Sequence, residues 1–250
     1  MAPSSTRRAR RAFSQNFLTD PAAVRKVIDA AALRPRDLVY EVGAGRGQLT
    51  RHLVRMCREV IAFEVDPSLV NPYGTVRHED FLRAAPAPVP FAVVGNIPYS
   101  LTSAVVDWCL RAPALTGATL LTQLEYARKR TGDYGRWSRL TVRTWPSYEW
   151  RLAGRIPRTA FRPVPRVDSG ILRVIHRDLP LVQPAALPAY RRFVDLGFTG
   201  AGGSLAATLG RRYGAGRTSA AFRSTRVPPD VPVGLVWPEQ WLALFRLICR

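Results

Sequence analysis

Short apolar runs alternate along this chain with stretches in which apolar residues recur every three or four positions. Leu38–Val42, Val60–Val65, Phe91–Gly95 and Ala118–Thr122 are almost continuously apolar, and each reads as a strand buried on both faces. From Asp20-Pro21 onward, Val24, Val27, Ile28 and Ala31 fall at helical spacing, with an acidic cap and a proline marking the start. Strands separated by helices imply βαβ units and a parallel sheet. Thr141–Leu152 and Gly170–Ile175 follow with no long helical pattern between them, which predicts an antiparallel pair closing the sheet edge. The pattern changes near Arg177. Leu179–Pro188 is rich in proline and alanine and reads as a linker, and helical stretches follow around Tyr190–Leu196, Ser204–Arg212, Thr218–Arg226 and Pro238–Ile248.

One interval is too short. The second strand ends near Glu64, and Thr75–Asp80 already reads as the third. A crossover between parallel strands needs at least ~10–12 residues with its helix. Only Asp66 to Gly74 remains, and it contains Pro67, Pro72 and Gly74. Either the helix is absent from this crossover, or the chain is broken between about Leu69 and Pro72 with a helix missing from the sequence; the break is the expectation.

Charge then narrows the function. Of 250 residues, 37 are Lys or Arg and 18 are Asp or Glu, a formal net charge of +19. That field gathers polyanions, so nucleic acid is the expected partner. Residues 1–12 are polar and basic, with Arg7, Arg8, Arg10 and Arg11, and predict a disordered arm. Ten arginines lie between Arg177 and Arg250, and with the arm they are expected to bind phosphates rather than read bases. No run approaches the ~20 apolar residues of a spanning helix, and the N-terminus lacks the apolar core of a secretory signal. Cys57, Cys109 and Cys249 form no pair by spacing, and His52, His78 and His176 have no metal-ligand spacing. The expectation is a cytoplasmic protein with reduced thiols, no structural metal and no membrane association.

The candidate chemistry sits at strand ends. Glu41-Val42-Gly43-Ala44-Gly45-Arg46-Gly47 follows the first strand and leads into a helix near Gln48, so its backbone can pass close to a ligand. GxGxG alone also fits a tight strand-to-helix turn. Glu64, 17 residues beyond Gly47, ends the next strand, where a carboxylate can accept both hydroxyls of an adenosine ribose. Asp80-Phe81-Leu82 ends the third strand and offers an acceptor for an adenine amine. Together these groups favour an adenosine-containing cofactor at the carboxyl edge of the sheet.

Asn96-Ile97-Pro98-Tyr99 follows the fourth strand and is the most informative tetrapeptide in the chain. The exocyclic amine of adenine is a poor nucleophile because its lone pair is delocalised into the ring. To attack a methyl sulfonium it needs acceptors for its two protons, which the Asn96 side chain and the Ile97 carbonyl can supply. Pro98 stiffens the turn, and Tyr99 offers a flat face for an extruded base.

These residues resemble the ribosomal RNA adenine N6-dimethyltransferases, in particular the erythromycin-resistance (Erm) class. The resemblance rests on Gln15-Asn16-Phe17-Leu18, the Gly43–Gly47 loop ending in Leu49-Thr50, Glu64, Asp80-Phe81-Leu82, Asn96–Tyr99 and Phe161-Arg162-Pro163-Val164-Pro165-Arg166-Val167-Asp168-Ser169, and spans roughly residues 13–250. It implies an α/β fold, a Rossmann-like seven-stranded methyltransferase sheet over 13–177 with a small all-helical, RNA-binding C-terminal domain over 178–250. It also implies S-adenosyl-L-methionine as cofactor, contacted by Asn16, Leu18, Gly43, Glu64, Asp80 and Asn96. Asn96, Tyr99 and Phe161 would be catalytic, with Phe161 closing over the opposite face of the target base. The implied partner is 23S rRNA, acted on by a monomer, with resistance to macrolides, lincosamides and streptogramin B as the outcome. The housekeeping small-subunit dimethylase is the rival within the family, and a non-catalytic nucleic-acid-binding relative is the rival outside it. Ile97, the run Pro163–Ser169, Gln123–Trp137 and Pro238-Glu239-Gln240-Trp241-Leu242 favour the resistance class. The intact Asn96–Tyr99 motif favours an active enzyme.

Overall fold

The structure, a computed structural model, describes residues 16–249; the basic arm at 1–12 and Gln15 lie outside them. A short strand, β1 (Phe17–Leu18), precedes helix α1 (Pro21–Ala31). Asp20 caps α1 by accepting from the Ala22 and Ala23 N–H groups at 2.7 and 3.4 Å, and Pro21 occupies the first turn, where no amide hydrogen is needed. The helix buries Ala23, Val24, Val27, Ile28 and Ala31, the face its apolar spacing predicts.

The sheet follows as β2 (Leu38–Val42), helix α2 (Thr50–Met56), β3 (Glu59–Phe63), β4 (Thr75–Arg77), β5 (Phe91–Asn96), α3 (Thr102–Arg111) and β6 (Leu115–Gln123). Next come α4 (Leu124–Thr131), α5 (Arg139–Thr144), β7 (Tyr148–Ile156), β8 (Phe161–Arg162) and β9 (Ser169–His176). Seven strands form one sheet in the order β4-β3-β2-β5-β6-β9-β7. β2 pairs in parallel with β3 and β5, and every one of its residues is buried, as expected for a strand covered on both sides. β9 runs antiparallel to β6. β1 and β8 form a separate two-stranded ladder, Phe17 opposite Arg162 and Leu18 opposite Phe161. The described residues up to Ala127, with Arg151–Ile175, make one compact unit.

A second unit comprises Arg128–Trp150 and the chain from His176 onward. Its helices include α6 (Leu187–Gly197), α7 (Leu205–Tyr213), α8 (Ala215–Thr225) and α9 (Pro238–Ile248). Their core is built on Tyr190, Phe193, Leu209, Trp241 and Phe245, all buried. α6 and α9 meet closely at Gly197, where an added Cβ would lie 2.5 Å from the Trp241 ring.

The structure corrects three expectations. Thr141–Thr144 is helical, because Ser138 caps α5 by accepting from the Thr141 N–H, and the strand starts only at Tyr148. Leu179–Pro188 is not a free linker: Val182 is buried in the helical core, and a 3-10 turn at Pro184–Ala186 leads into α6. Finally, no helix and no break separates β3 from β4. Ser68 donates twice to Asp66 Oδ1, the Leu69 N–H bonds the Asp66 carbonyl, and the chain reaches β4 through turns and extended backbone. The crossover is shortened, and the edge strand it reaches has three residues.

Candidate functional site

The carboxyl ends of β2, β3, β4 and β5 converge beneath a cavity of about 290 Å³. A small-molecule site falls here by the general rule for open α/β sheets. Its lining includes Asn16, Gly43, Glu64, Asp80, Asn96, Tyr99 and Phe161, seven residues singled out from the sequence. Leu18 does not line it; that side chain is buried opposite Phe161 in the β1–β8 ladder.

The glycine loop is held from below. The N–H groups of Gly43 and Ala44 both donate to the Phe63 carbonyl, at 3.0 and 3.1 Å. Gly43 has φ +71°, a conformation that favours glycine, and a Cβ there would crowd the Asn96 carbonyl at 3.2 Å. The Glu64 carboxylate takes the Gly45 N–H on one oxygen and the Asp66 N–H on the other, each at 2.9 Å. It therefore ties the loop to the end of β3 while lying at the cavity wall. Asp80 sits three residues beyond the end of β4 rather than on it, and its Oδ1 accepts from the Leu82 N–H at 3.0 Å.

At the fourth strand end the Asn96 amide nitrogen donates to the Asn16 carbonyl at 2.8 Å. That bond fixes the side chain, and the amide oxygen has no partner among the described residues. Pro98 holds φ −56° and leads into a 3-10 turn beginning at Tyr99. The Tyr99 hydroxyl is 2.7 Å from the hydroxyl of Ser169, a fully buried residue at the start of β9. Burial holds the Tyr99 phenol above its usual range, so the ring is neutral at physiological pH. Phe161 is buried on β8 and forms a fixed wall of the cavity.

Several contributors were not singled out from the sequence. Ser169 was noted only within a longer run, and nothing in sequence spacing links it to Tyr99. Val65 lines the cavity and is 43% exposed, an apolar side chain left in solvent directly after Glu64. Its position directly after the strand-end carboxylate Glu64 was the available signal. Phe63 and Val105 join Phe81, already picked out within its motif, in an apolar lining.

Glu41, beneath the loop, is fully buried, and burial pushes its carboxyl up to about 8. The neighbouring Thr50 hydroxyl and N–H oppose that shift. The folded chain thus binds a proton that the unfolded chain releases near 4.5, so this contribution to stability is complete below about 4.5 and is lost as pH rises toward about 8. Glu41→Gln, which cannot ionise, is expected to flatten that part of the curve and raise the melting temperature at the alkaline end. Thermal unfolding at a series of pH values checks it; parallel curves for the two proteins would contradict it.

Among the described residues no cluster of His, Cys, Asp and Glu is arranged to hold a metal, and no helix is long and apolar enough to cross a membrane. A mixed, mostly parallel sheet with a glycine loop, a strand-end carboxylate and an Asn-x-Pro-aromatic turn around one cavity is the architecture of an α/β methyltransferase. The family model described as ribosomal RNA adenine dimethylase matches residues 6–249. A Streptomyces fradiae rRNA adenine N-6-methyltransferase is 55% identical, over 96% of this chain and 79% of its own. The mycinamicin-resistance protein MyrB of Micromonospora griseorubida is 36% identical, over 95% of this chain and 78% of its own. The crystal structure of the 23S rRNA methyltransferase ErmE superposes with a TM-score of 0.91 at 48% identity, covering 94% of this chain and all of that one. This chain belongs to the ribosomal RNA adenine dimethylase family.

Proposed function

We propose that the protein methylates N6 of one adenine in 23S rRNA, using S-adenosyl-L-methionine, and so protects the ribosome from macrolides, lincosamides and streptogramin B. The observation that carries this is the Asn96 amide, clamped by Asn16 with its oxygen open, in the same cavity as the glycine loop and Glu64. The residues fit the cofactor. Gly43 and Gly45 leave a cradle that side chains would fill, since a Cβ on Gly45 would meet the Phe17 ring at 3.2 Å. Glu64 and Asp80 supply acceptors for ribose hydroxyls and an adenine amine, and Val65 and Phe81 an apolar setting for the ring. When bound, the cofactor supplies an electrophilic methyl group.

The target adenine must leave its stack to reach the cavity. Tyr99 and Phe161 then hold its ring, and the Asn96 oxygen and the Ile97 carbonyl accept from its amine. Those bonds orient the amine and draw density onto nitrogen as its lone pair leaves the ring. No strong base is needed, because the methylated ammonium is acidic and passes its proton to water. Catalysis is then mostly positioning. The arginines of the helical C-terminal domain, residues 178–250, grip RNA phosphates, and the reaction takes place in the cytoplasm where rRNA is found.

The 23S target draws support from the 48% identity to ErmE, and the resistance phenotype from MyrB. Expression in a macrolide-sensitive bacterium tests the reading. Growth in erythromycin and clindamycin, lost with Asn96→Ala, is expected. Unchanged sensitivity with the soluble enzyme present would count against it.

A further inference from the structure

The shortened connection between β3 and β4 does more than join them. It lies against the end of the glycine loop at Gly47, where the Asn71 side chain and the Tyr73 ring make the contact. Asn71 Nδ2 donates to Thr50 Oγ at 2.8 Å, and Asn71 Oδ1 accepts the Tyr73 N–H at 3.0 Å. Gly47, with φ +83°, faces the same side chain: a Cβ there would lie 2.4 Å from Asn71 Oδ1 and 2.8 Å from the Tyr73 ring. Gly74, at φ +66°, turns the chain back into β4 so that Asn71 and Tyr73 stay on the loop.

Thr50 is fully buried at the first turn of α2, whose preceding residue Leu49 gives no side-chain cap. Asn71 donates to the Thr50 hydroxyl oxygen, and Thr50 lies beside the buried Glu41, whose carboxyl pKa it lowers against the larger effect of burial. Hydrogen bonds therefore run from the Tyr73 backbone through Asn71 to Thr50, which sits beside Glu41, two residues before Gly43.

We infer that Asn71 is a positioning residue for the methyl donor: by seating Thr50 and Gly47 it sets the glycine loop that cradles the cofactor. A helix in this crossover would be held by its own backbone bonds; here the brace is a single amide. The inference rests on the cavity being the cofactor site.

Calorimetric binding of S-adenosylhomocysteine to the full-length protein tests it, with Asn71→Ala, Thr50→Val and the double variant, alongside steady-state methylation of 23S rRNA. Each single change is expected to weaken binding by about tenfold, the scale of one lost buried hydrogen bond. KM for the donor should rise in step while kcat at saturation moves less than about twofold. The double variant should bind about as weakly as either single one, because both cut the same path. Thr50→Ser should restore binding. Asn71→Asp keeps the acceptor for Tyr73 and can hold Thr50 only by taking its hydroxyl hydrogen, so its affinity and melting temperature should fall between those of the wild type and Asn71→Ala. Wild-type affinity in Asn71→Ala and Asn71→Asp, or fully additive losses in the double variant, would overturn the inference. A wild-type protein that does not bind S-adenosylhomocysteine would instead overturn the reading of the cavity.

Discussion

Asn96→Ala is expected to slow methyl transfer by at least about a hundredfold at saturating cofactor and RNA, the scale seen when one preorganised polar group is removed from a reacting centre. Two effects combine. The amine loses the acceptor that orients it, and the Asn16 carbonyl loses the amide that ties the strand end to the start of β1. Asn96→Asp separates them, since it keeps an acceptor and cannot donate to Asn16. Its activity should fall between those of the wild type and the alanine variant. Single-turnover methylation of an RNA hairpin, with cofactor affinity measured separately, reads this directly. If Asn96→Ala lost only cofactor affinity and kept its rate at saturation, Asn96 would be a binding residue and no part of the chemistry.

The next largest effect is expected at Tyr99. Tyr99→Ala removes the ring on which we propose the base stacks, at an expected cost of about 1–3 kcal/mol, or roughly tenfold to a hundredfold in rate. Tyr99→Phe keeps the ring but strands the buried Ser169 hydroxyl, so a milder loss of about 1 kcal/mol is expected. Pairing Tyr99→Phe with Ser169→Ala removes both hydroxyls and should recover part of that loss. Both tyrosine variants should bind S-adenosylmethionine nearly as the wild type does. A phenylalanine variant as inactive as the alanine one, unrelieved by Ser169→Ala, would show that the hydroxyl acts on the substrate and that stacking is not the main contribution.

Much of this architecture was legible because burial writes itself into residue type. β2 is covered on both faces and has the same bounds as the apolar run Leu38–Val42, and Asp20-Pro21 marks the start of α1. The four C-terminal helices follow their apolar spacing for the same reason. The site was legible because strand ends at the carboxyl edge of a parallel sheet converge, so Gly43, Glu64 and Asn96 could be brought together without coordinates. What was missed is held by bonds between distant side chains. Nothing in the order of residues says that Ser169 anchors Tyr99, or that Asn71 reaches back 21 positions to Thr50. Apolar period also misled at Thr141–Thr144, where a serine cap decided for helix over strand. The interval after Glu64 was correctly seen as too short for a helical crossover, yet the break expected there is a loop that packs against Gly47 and Thr50.

The central claim is chemical and can be read from one reaction. Purified enzyme is incubated with methyl-labelled S-adenosylmethionine and protein-free 23S and 16S rRNA in separate tubes, and the label is mapped by nuclease digestion and mass spectrometry. The expected result is label in 23S rRNA alone, confined to one adenine and recovered as N6-methylated adenosine. Label in two adjacent adenines of 16S rRNA, or on any atom other than N6, would contradict it.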